Sequence, residues 1–380
     1  MQKRAQILIP KMPRQKFMHE SKGNRLVSYV DAIREALDLS LHENPNVIVI
    51  GEGVPDPKAI FTSTAGLQTK YGIQRVFDMP LAENGMTGVC IGAALSGMRP
   101  VMIHQRIDFA LLSMDQIVNN AAKWHYMFNG KASVPIVIRM IVGRGWGQGP
   151  QHSQSLQAMF AQVPGLKVVM PTTAHDAKGM MIAAIEDDNP VIFIEHRWLH
   201  HVIDHVPEGM YRVKIGEARK LQEGNDVTVA AFSLMALEAL IAAKALLKFM
   251  GISLDVLDMR TVRPLDLSAV LKSVSRTGRL VVIDTAFKTG SVAGELISLV
   301  CEQGFALLKA PPLRIASPDH PVPTSPFMAE DYYPNPILIA NEILQLLGLK
   351  KSGDAYDALC SSLRSDIAHD TPNRNFSGPF

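Results

Sequence analysis

The chain has 380 residues, of which 47% are hydrophobic and 19% are charged, and this length is sufficient for two domains with separate cores. Its 38 basic and 36 acidic residues leave a net charge of +2, which excludes the basic excess typical of nucleic-acid-binding proteins. No run of about 18 apolar residues predicts a membrane span.

The first 25 residues form a basic segment with a single acid, Glu20. The segment is as poor in acids as an organelle transit peptide, but Ser21 is its one hydroxyl residue, and it lacks the apolar core of a secretory signal. We interpret residues 1–25 as a flexible basic arm. Because the segment differs from a transit peptide, a mitochondrial matrix is the less expected location. The three cysteines form no CxxC pair and indicate a reducing cytoplasm. The basic residues of the arm are Lys3, Arg4, Lys11, Arg14, Lys16, Lys22 and Arg25.

Short β-branched runs alternate with helical patterns over residues 26–200. Near-continuous apolar strands alternating with helices are typical of a parallel sheet covered by helices, so the sequence predicts an α/β fold. The predicted strands are "NVIVIGE" at 46–52, "PVMIH" at 100–104, "VPIVIRMIV" at 134–142, "LKVVMP" at 166–171 and "PVIFIE" at 190–195. The main predicted helices lie at 28–44 and 174–188.

A polar stretch at 201–225 interrupts this alternation and is interpreted as a linker that could contain a hairpin. A second α/β series follows over 226–350, beginning with "DVTVAAFS" and an Ala/Leu-rich helix at 235–249. Residues 351–380 are polar and rich in Ser and Asp, which indicates a loosely held tail. We therefore predict two α/β domains joined by a linker.

The glycine-rich loop "VGRGWGQGPQHSQSL" at 142–156 does not have the GxGxxG pattern, and no Gly-Lys-Ser/Thr follows it. Such a loop permits positive φ angles or a close backbone approach, which is the purely structural interpretation. Because it follows a buried strand, it also lies at the sheet edge where ligands bind. His152 is therefore a candidate site residue.

Glu83 opens a predicted helix in "DMPLAENGMTGVC". A carboxylate in this position usually caps the helix, because it satisfies free N–H groups and the helix dipole. Alternatively, it faces a cleft and holds a proton. The residues alone indicate a site near Glu83 and His152 and no particular reaction.

Several segments together resemble one family. They include "RVFDMPLAENGMTGVCIGAALSGMRPV", "DQIVNNAAK", "QHSQSLQAMFAQVPGLKVVMP", "DVLDMRTVRPLD" and "YYPNPILIANEIL". They resemble the beta subunit of the thiamine-diphosphate-dependent first component of 2-oxo acid dehydrogenases, such as pyruvate dehydrogenase. The resemblance runs in unbroken order from about residue 28 to about residue 349. It implies a transketolase-like pyrimidine-binding domain followed by a transketolase C-terminal-like domain.

The resemblance implies roles for four residues. Glu83 matches the glutamate that hydrogen-bonds to N1′ of the cofactor's aminopyrimidine and favours the imino tautomer that accepts the C2 proton. His152 matches the active-site histidine, which orients the substrate carboxylate or supplies a proton during acyl transfer to lipoyl. Phe109 matches an aromatic residue that packs on the pyrimidine, although core packing would explain it equally well. Glu52 matches a second acid near the channel between paired active sites.

The resemblance also implies that the cofactor is shared. In this family an alpha subunit holds the diphosphate and Mg²⁺ through a GDG motif, and the 380 residues contain no GDG. We therefore expect an α₂β₂ heterotetramer that is inactive without its alpha subunit, with a lipoyl acyltransferase core as a further partner. Neither nucleic acid nor a membrane is expected as a partner.

The segment "AAIEDDNP" resembles a structural site for a monovalent cation such as K⁺ in some members. Carbonyl oxygens are hard donors suited to such an ion, but an ordinary turn at a helix end would explain the segment equally well. The implied ligands are the carbonyl groups of Ile136, Ala184, Ile185, Asp187 and Asn189.

Two departures from the family pattern bear on specificity. The family often has "FADF" or "FNF" where this chain has "HQRIDF", which brings His104, Gln105 and Arg106 to a strand end. Polar groups there suggest an unusual substrate. The family's "HEA" or "EEA" element near the glycine turn of the second domain is replaced here by "DTAFKTGSVAGE", with Asp284 and Thr285. If that acidic element helps to dock the acyltransferase core, docking is an open question for this chain.

Three functions remain to be distinguished. The first is the acetyl-transferring, pyruvate dehydrogenase-like beta subunit. The second is half of a split transketolase or a carboligase that transfers a ketol or acyl unit to an aldehyde. The third is a noncatalytic scaffold. "QHSQSLQA" followed by "PGLKVV" favours the first, and the retention of Glu83 and His152 disfavours the scaffold.

Overall fold

A computed structural model describes residues 25–56, 58, 60–144 and 147–365. Residues 1–24 of the predicted basic arm and residues 366–380 of the predicted tail lie outside the described residues. The first half of the chain contains β1 (Leu26–Ser28), α1 (Tyr29–Glu43), β2 (Val47–Gly51), α2 (Leu67–Tyr71), β3 (Val76–Phe77), α3 (Glu83–Leu95), β4 (Arg99–His104), α4 (Ile107–Ala110), a π-helix (Gln116–Ala121), α5 (Ala122–Met127), β5 (Val137–Val142), α6 (Gln157–Ala161), β6 (Lys167–Val169), α7 (Ala174–Glu186) and β7 (Val191–His196).

The second half begins with two short strands and then forms a second α/β series. It contains β8 (Ile203–His205), β9 (Arg219–Gln222), β10 (Val227–Ala231), α8 (Leu234–Met250), β11 (Leu254–Asp258), β12 (Thr261–Arg263), α9 (Leu267–Thr277), β13 (Leu280–Phe287), α10 (Val292–Gly304), β14 (Leu313–Ser317), α11 (Pro326–Ala329), α12 (Pro336–Leu346) and α13 (Asp354–Leu363). Single 3₁₀ turns lie at Leu111–Ser113, Arg197–Leu199 and Phe305–Leu307.

Two largely parallel sheets organise the described chain, which confirms the predicted α/β class. The larger sheet has the order β12-β6-β7-β5-β4-β2-β3 and is parallel except for β12, which pairs antiparallel with β6. The smaller sheet has the order β14-β13-β10-β11-β9 and is parallel except for β9. Strands β2 and β5 are buried along their whole length, as expected for strands covered by helices on both faces.

Local sequence signals set the helix boundaries. Helix α1 begins after Ser28, whose Oγ accepts from the backbone N–H of Asp31 at 3.2 Å, and α7 begins after Thr173, whose Oγ1 accepts from Asp176 N–H at 3.1 Å. Helix α8 ends at Gly251, where φ is +68°. Helices α1 and α7 cover one face of the large sheet. Their apolar side chains form a continuous core with α8 of the second domain.

Two predictions about the connecting segments are wrong. Strands β8 and β9, within the predicted linker, do not form a hairpin, because β8 pairs with β1 and β9 pairs with β11. The predicted loose tail contains α13, whose Leu359 is 1% exposed and joins the core that contains α8. A short apolar face was sufficient to pack Asp354–Leu363 against the core. The exact domain boundaries stay a prediction.

Candidate active site

The carboxyl ends of the parallel strands of the large sheet gather at one edge, where α/β proteins bind ligands. Four polar residues follow those ends. Glu52 directly follows β2 and Arg197 directly follows β7, whereas Arg106 follows β4 and Arg144 follows β5 after one intervening residue each. The chain then passes from β3 to Glu83, the first residue of α3.

Glu83 is almost buried, with 6% of its surface exposed. The residue that precedes α3 is Ala82, and no side chain caps the helix, so Glu83 does not have the capping role that its position suggested. Among the described residues, no side-chain hydrogen bond or ion pair engages its carboxylate. Helix α3 is held instead by Thr87, whose Oγ1 lies 2.7 Å from the Glu83 carbonyl oxygen and 2.9 Å from Ser113 Oγ. The carboxylate is therefore not used by the fold itself.

Glu52 lies within electrostatic reach of Glu83. Burial raises the pKa of Glu52, and the negative charges of Glu83 and Asp78 raise it further. Its backbone carbonyl accepts from Gln105 Nε2 at 3.0 Å, whereas Oε1 is buried without a hydrogen-bond partner in the described part of the chain. The structure therefore brings two of the predicted site residues, Glu52 and Glu83, within electrostatic reach of each other.

Phe109 and His152 also meet. Their ring centroids lie 5.3 Å apart at an interplanar angle of 89°, so the edge of one ring faces the other. Asp108 Oδ1 accepts from Gln154 Nε2 at 2.7 Å, and Arg106 Nη2 donates to Gln148 Oε1 at 2.6 Å. The segment 106–109 therefore holds the loop 147–154 at three points and positions the His152 ring. Packing on a cofactor ring remains a prediction for Phe109.

The glycine loop contacts the second domain. Gly149 has a φ of +64°, and a Cβ there would overlap Oγ1 of Thr324, so both the backbone angle and the close approach require glycine. At the start of the loop, the guanidinium of Arg144 lies 4.1 Å from the ring centroid of Trp198 and 4.5 Å from that of Tyr333. The loop that carries His152 is thus clamped between the two domains.

The five residues of the predicted cation site come together at the opposite, amino-terminal edge of the sheet. Arg99 Nη1 donates to the carbonyl oxygens of Ile185 and Asp187, at 3.0 Å each. The carbonyl of Ile136 accepts from Val191 N at 3.0 Å, and that of Ala184 accepts from Asp187 N at 3.3 Å. Asn189 N donates to Asp187 Oδ1 at 2.9 Å. An ion bound here would lie far from Glu83 in the fold, so its role would be structural; its presence stays a prediction.

Sequence reasoning missed a cluster of buried side chains at the carboxyl edge. The guanidinium groups of Arg106 and Arg197 lie 5.8 Å and 4.3 Å from the ring centroid of Phe61. Burial lowers the pKa of each arginine to about 10. The departure at "HQRIDF" was the available signal for Arg106. Nothing in the sequence linked it to Phe61 or Arg197, which are distant along the chain.

In the part of the chain that the structure describes, no helix is both long enough and apolar enough to cross a membrane. The described residues contain no group of three or more His, Cys, Asp or Glu side chains arranged to hold a metal ion.

Comparison with known proteins identifies both domains. Residues 25–201 match the transketolase pyrimidine-binding domain, and residues 216–337 match the transketolase C-terminal domain. The chain is 41% identical over 336 residues to the acetoin:2,6-dichlorophenolindophenol oxidoreductase subunit beta of Bacillus subtilis (strain 168), which covers 85% of this chain and 98% of that protein. It is 39% identical to the pyruvate dehydrogenase E1 component subunit beta of the same organism, over 79% of this chain and 92% of that protein.

A solved structure supports the same fold. The structure described as a split gene transketolase, inactive beta4 tetramer, superposes with a TM-score of 0.69 at 23% identity and covers 85% of this chain and 99% of that one. At this identity the likeness concerns the fold alone. Together with the domain matches, it confirms the predicted arrangement of two transketolase-like domains.

Proposed function

Because the chain belongs to the family of beta subunits of thiamine-diphosphate-dependent 2-oxo acid dehydrogenases, we propose that it decarboxylates a 2-oxo acid together with an alpha subunit and transfers the acyl group to lipoyl. Pyruvate, with acetyl transfer, is the reference substrate. The observation that carries this proposal is the position of Glu83 at the carboxyl edge: the residue is 6% exposed, its carboxylate has no side-chain hydrogen bond or ion pair among the described residues, and it lies within electrostatic reach of Glu52. A noncatalytic scaffold would have no need for two neighbouring acids that the fold itself does not use.

The residues at the carboxyl edge fit the pyrimidine half of thiamine diphosphate. Glu83 would accept or share a proton at N1′, and the Phe109 ring would pack against the pyrimidine face. The cofactor, when bound, supplies the carbon nucleophile and the electron sink for the 2-oxo acid. The raised pKa of Glu52 makes it suited to hold a proton beside Glu83. His152, kept in place by Phe109, would orient the substrate carboxylate or donate a proton.

The other half of the site would come from the alpha subunit. The absence of a GDG motif from the sequence supports a partner that holds the diphosphate and Mg²⁺. We therefore propose an α₂β₂ assembly that is inactive without its alpha subunit and delivers acyl groups to a lipoyl acyltransferase core. A structural K⁺ ion at the Asp187 turn would have to displace Arg99, whose guanidinium binds the carbonyl oxygens of Ile185 and Asp187. The three cysteines, which are all free, support a cytoplasmic location.

Cleavage of a hydroxyketone is a second candidate. The similarity to the acetoin oxidoreductase subunit favours this candidate, because 98% of that protein matches this chain at 41% identity. The pyruvate dehydrogenase subunit is nearly as similar, at 39%, so overall similarity does not separate the two substrates.

The test is affinity capture of the tagged, full-length chain from the cells that encode it. The captured complex is assayed with thiamine diphosphate and Mg²⁺ for decarboxylation of 2-oxo acids and for cleavage of acetoin, with and without a lipoyl domain or an aldehyde acceptor. A co-purifying alpha subunit and lipoyl-dependent turnover would support the dehydrogenase. Lipoyl-independent transfer to an aldehyde would instead identify a carboligase. Partners without turnover on any substrate would contradict both.

A further inference from the structure

A buried acid of the second domain contacts the segment that follows His152. Asp284, on β13, and Gln157, the first residue of α6, are both 0% exposed. Gln157 Nε2 donates to Asp284 Oδ1 at 2.5 Å and to Thr285 Oγ1 at 3.2 Å. We call Gln157 and Asp284 the acid–amide pair. Because α6 begins where the glycine loop ends, the pair joins this part of the first domain to the second domain.

The surroundings of Asp284 favour an acid that keeps its proton. Besides Gln157, the backbone N–H of Ala286 donates to Asp284 Oδ1, at 3.3 Å. Neither donor is charged, and in the described ranges no basic side chain lies within ion-pair distance of Asp284. A buried carboxylate without a cation is unfavourable. Burial accordingly raises the pKa of Asp284, against the opposing effect of its neutral donors.

Two oxygen atoms of the acid–amide pair lead to the same conclusion. Asp284 Oδ2 and Gln157 Oε1 are buried without a hydrogen-bond partner among the residues that the structure describes. An ionised carboxylate would leave both oxygens as acceptors that lack a donor, which is costly. A proton on Oδ2 converts that oxygen into a donor, and the amide already in contact offers Oε1 as an acceptor. One proton would therefore supply the donor that both oxygens lack.

The acid–amide pair fixes one end of the segment 152–157. The middle of the segment is held by the first domain, because Gln154 Nε2 donates to Asp108 Oδ1 at 2.7 Å. At its start, the His152 ring packs on the edge of the ring of Phe109, the neighbour of Asp108. At its end, Gln157 is held by the second domain. Because the span is short, a shift at Gln157 would be transmitted to the His152 ring.

Asp284 belongs to the segment "DTAFKTGSVAGE", for which docking of an acyltransferase core was an open question. Since its carboxyl group is buried against α6, Asp284 cannot form part of a docking surface. The adjacent Thr285 lines a small cavity between the two domains together with Ser153 and Ser155, which flank Gln154. This segment of the second domain therefore faces the loop that carries His152.

Building on the proposed function, we infer that Gln157 and Asp284 are positioning residues for His152. Asp284, as a neutral acid, holds the first turn of α6 on the second domain. The segment 152–157 is thereby fixed at its far end, and the His152 ring stays against Phe109 in the orientation that the reaction needs. Both residues of the pair act through His152, so their contribution to catalysis should vanish when the imidazole is absent.

The test is a double-mutant cycle on the captured complex, assayed with the substrate that it turns over. Asp284→Leu removes the hydrogen bonds and should lower kcat/KM at least about 10-fold, whereas in the His152→Ala background it should lower kcat/KM less than about 2-fold further. Asp284→Asn retains both an acceptor and a donor for the Gln157 amide and should keep kcat/KM within about 3-fold of the wild type. The control is Asp357→Leu, at an exposed position of α13.

Two spectroscopic readouts on the lone full-length chain do not depend on turnover. The NMR signal of the His152 ring, assigned by its absence from His152→Ala, should shift in Asp284→Leu and keep its position in Asp284→Asn and Asp357→Leu. The infrared difference between the wild type and Asp284→Asn at neutral pH should contain the carbonyl band of a protonated carboxylic acid. If both results hold but the complex turns over no substrate, the hold of the acid–amide pair on His152 stands and the proposed function fails.

Three outcomes would overturn the inference while the proposed function survives. An active complex in which Asp284→Leu has wild-type kcat/KM would show that the acid–amide pair does not serve catalysis. Equal losses in the wild-type and His152→Ala backgrounds would make the pair a purely structural contact. An infrared difference with only carboxylate bands would show that Asp284 is charged. If Asp284→Leu does not fold, Gln157→Leu takes its place in the cycle with the same expected losses.

Discussion

Two aspartates on β11, three residues apart, have opposite surroundings. Asp255, near the amino end, accepts from Ser273 Oγ at 2.5 Å and pairs with Arg276 at 2.6 Å, and Ser273 in turn contacts Thr228 at 2.6 Å. Asp258, at the carboxyl end, accepts from the backbone N–H of Arg260 through Oδ1. Its Oδ2 has no hydrogen-bond partner in the described chain.

The large sheet shows the same contrast. At its amino edge, Arg99 binds two carbonyl oxygens and Asp188, and Lys167 pairs with Asp187. At its carboxyl edge, Glu52 Oε1 and Arg106 Nη1 have no partner among the residues described. Polar groups at the amino ends therefore form closed networks that stabilise the fold, whereas those at the carboxyl ends keep atoms available for a ligand. Four predictions test this contrast.

Substitution at the open edge should mainly affect catalysis. We expect Glu83→Gln to lower kcat of the captured complex at least about 100-fold, because loss of a proton-transfer group typically costs that much. The melting temperature should stay unchanged, since the carboxylate makes no side-chain contact with the described residues. The control is Glu302→Gln on the exposed face of α10. Wild-type activity in Glu83→Gln would contradict the assigned role.

Substitution in the closed network should affect stability instead. Asp255→Ala leaves Arg276 and Ser273 without their acceptor and should lower the free energy of unfolding by about 2–3 kcal/mol, because breaking a buried pair is costly and Arg276 is partly exposed. Urea denaturation measures this loss, with the exposed Asp331→Ala as control. Activity per folded molecule should be retained. A large loss of kcat in protein that remains fully folded would contradict the contrast between the two ends of the strands.

An apolar contact far from both edges gives a reference for a purely structural effect. Leu359→Ala should lower the free energy of unfolding by about 2 kcal/mol, because Leu359 is 1% exposed in the core. Leu349, at 44% exposed, provides the matched control, and its replacement by Ala should change stability by less than about 0.5 kcal/mol. Equal effects of the two changes would show that α13 is not packed in solution.

The open aspartate should make stability depend on pH. Burial, followed by the charge of Asp176, raises the pKa of Asp258 to about 7. An acid whose pKa is raised by folding loses stability as the pH rises above its unfolded pKa of about 4, and the loss is complete above the folded pKa. Asp258→Asn cannot ionise. Its free energy of unfolding, relative to the wild type, should therefore rise by roughly 2–3 kcal/mol between pH 5 and pH 8. Urea denaturation across that pH range measures this change, with Asp331→Asn as control. If the difference in the free energy of unfolding between Asp258→Asn and the wild type stayed constant, the raised pKa of Asp258 would be refuted.

Local pattern predicted most of the fold. The apolar runs at 46–52 and 190–195 became Val47–Gly51 and Val191–His196, and the helix predicted at 28–44 became Tyr29–Glu43. In contrast, the pairing of β12 with β6 and the packing of α13 depend on contacts between segments far apart in sequence, which periodicity does not encode. Short elements of this kind are set by their tertiary surroundings.

The candidate site was predictable to the same extent. Glu83 and His152 stood out because they lie in recognisable local segments, and the structure places them on α3 and on the glycine loop. The packing of Arg106 and Arg197 on the Phe61 ring was not predictable, because these three residues follow three different strands and meet only when the sheet forms. The capping interpretation of Glu83 was wrong because its side chain makes no cap hydrogen bond.

Strand β12 belongs by sequence to the second domain but completes the edge of the first domain's sheet. A gene truncated between residues 201 and 226 would thus produce a first domain whose β6 edge has unpaired N–H and C=O groups. Exposed edges of this kind recruit other strands, so the fragment should aggregate instead of behaving as an independent module. Exchange of C-terminal domains between relatives would face the same constraint, because the incoming domain must supply a β12 that pairs with β6.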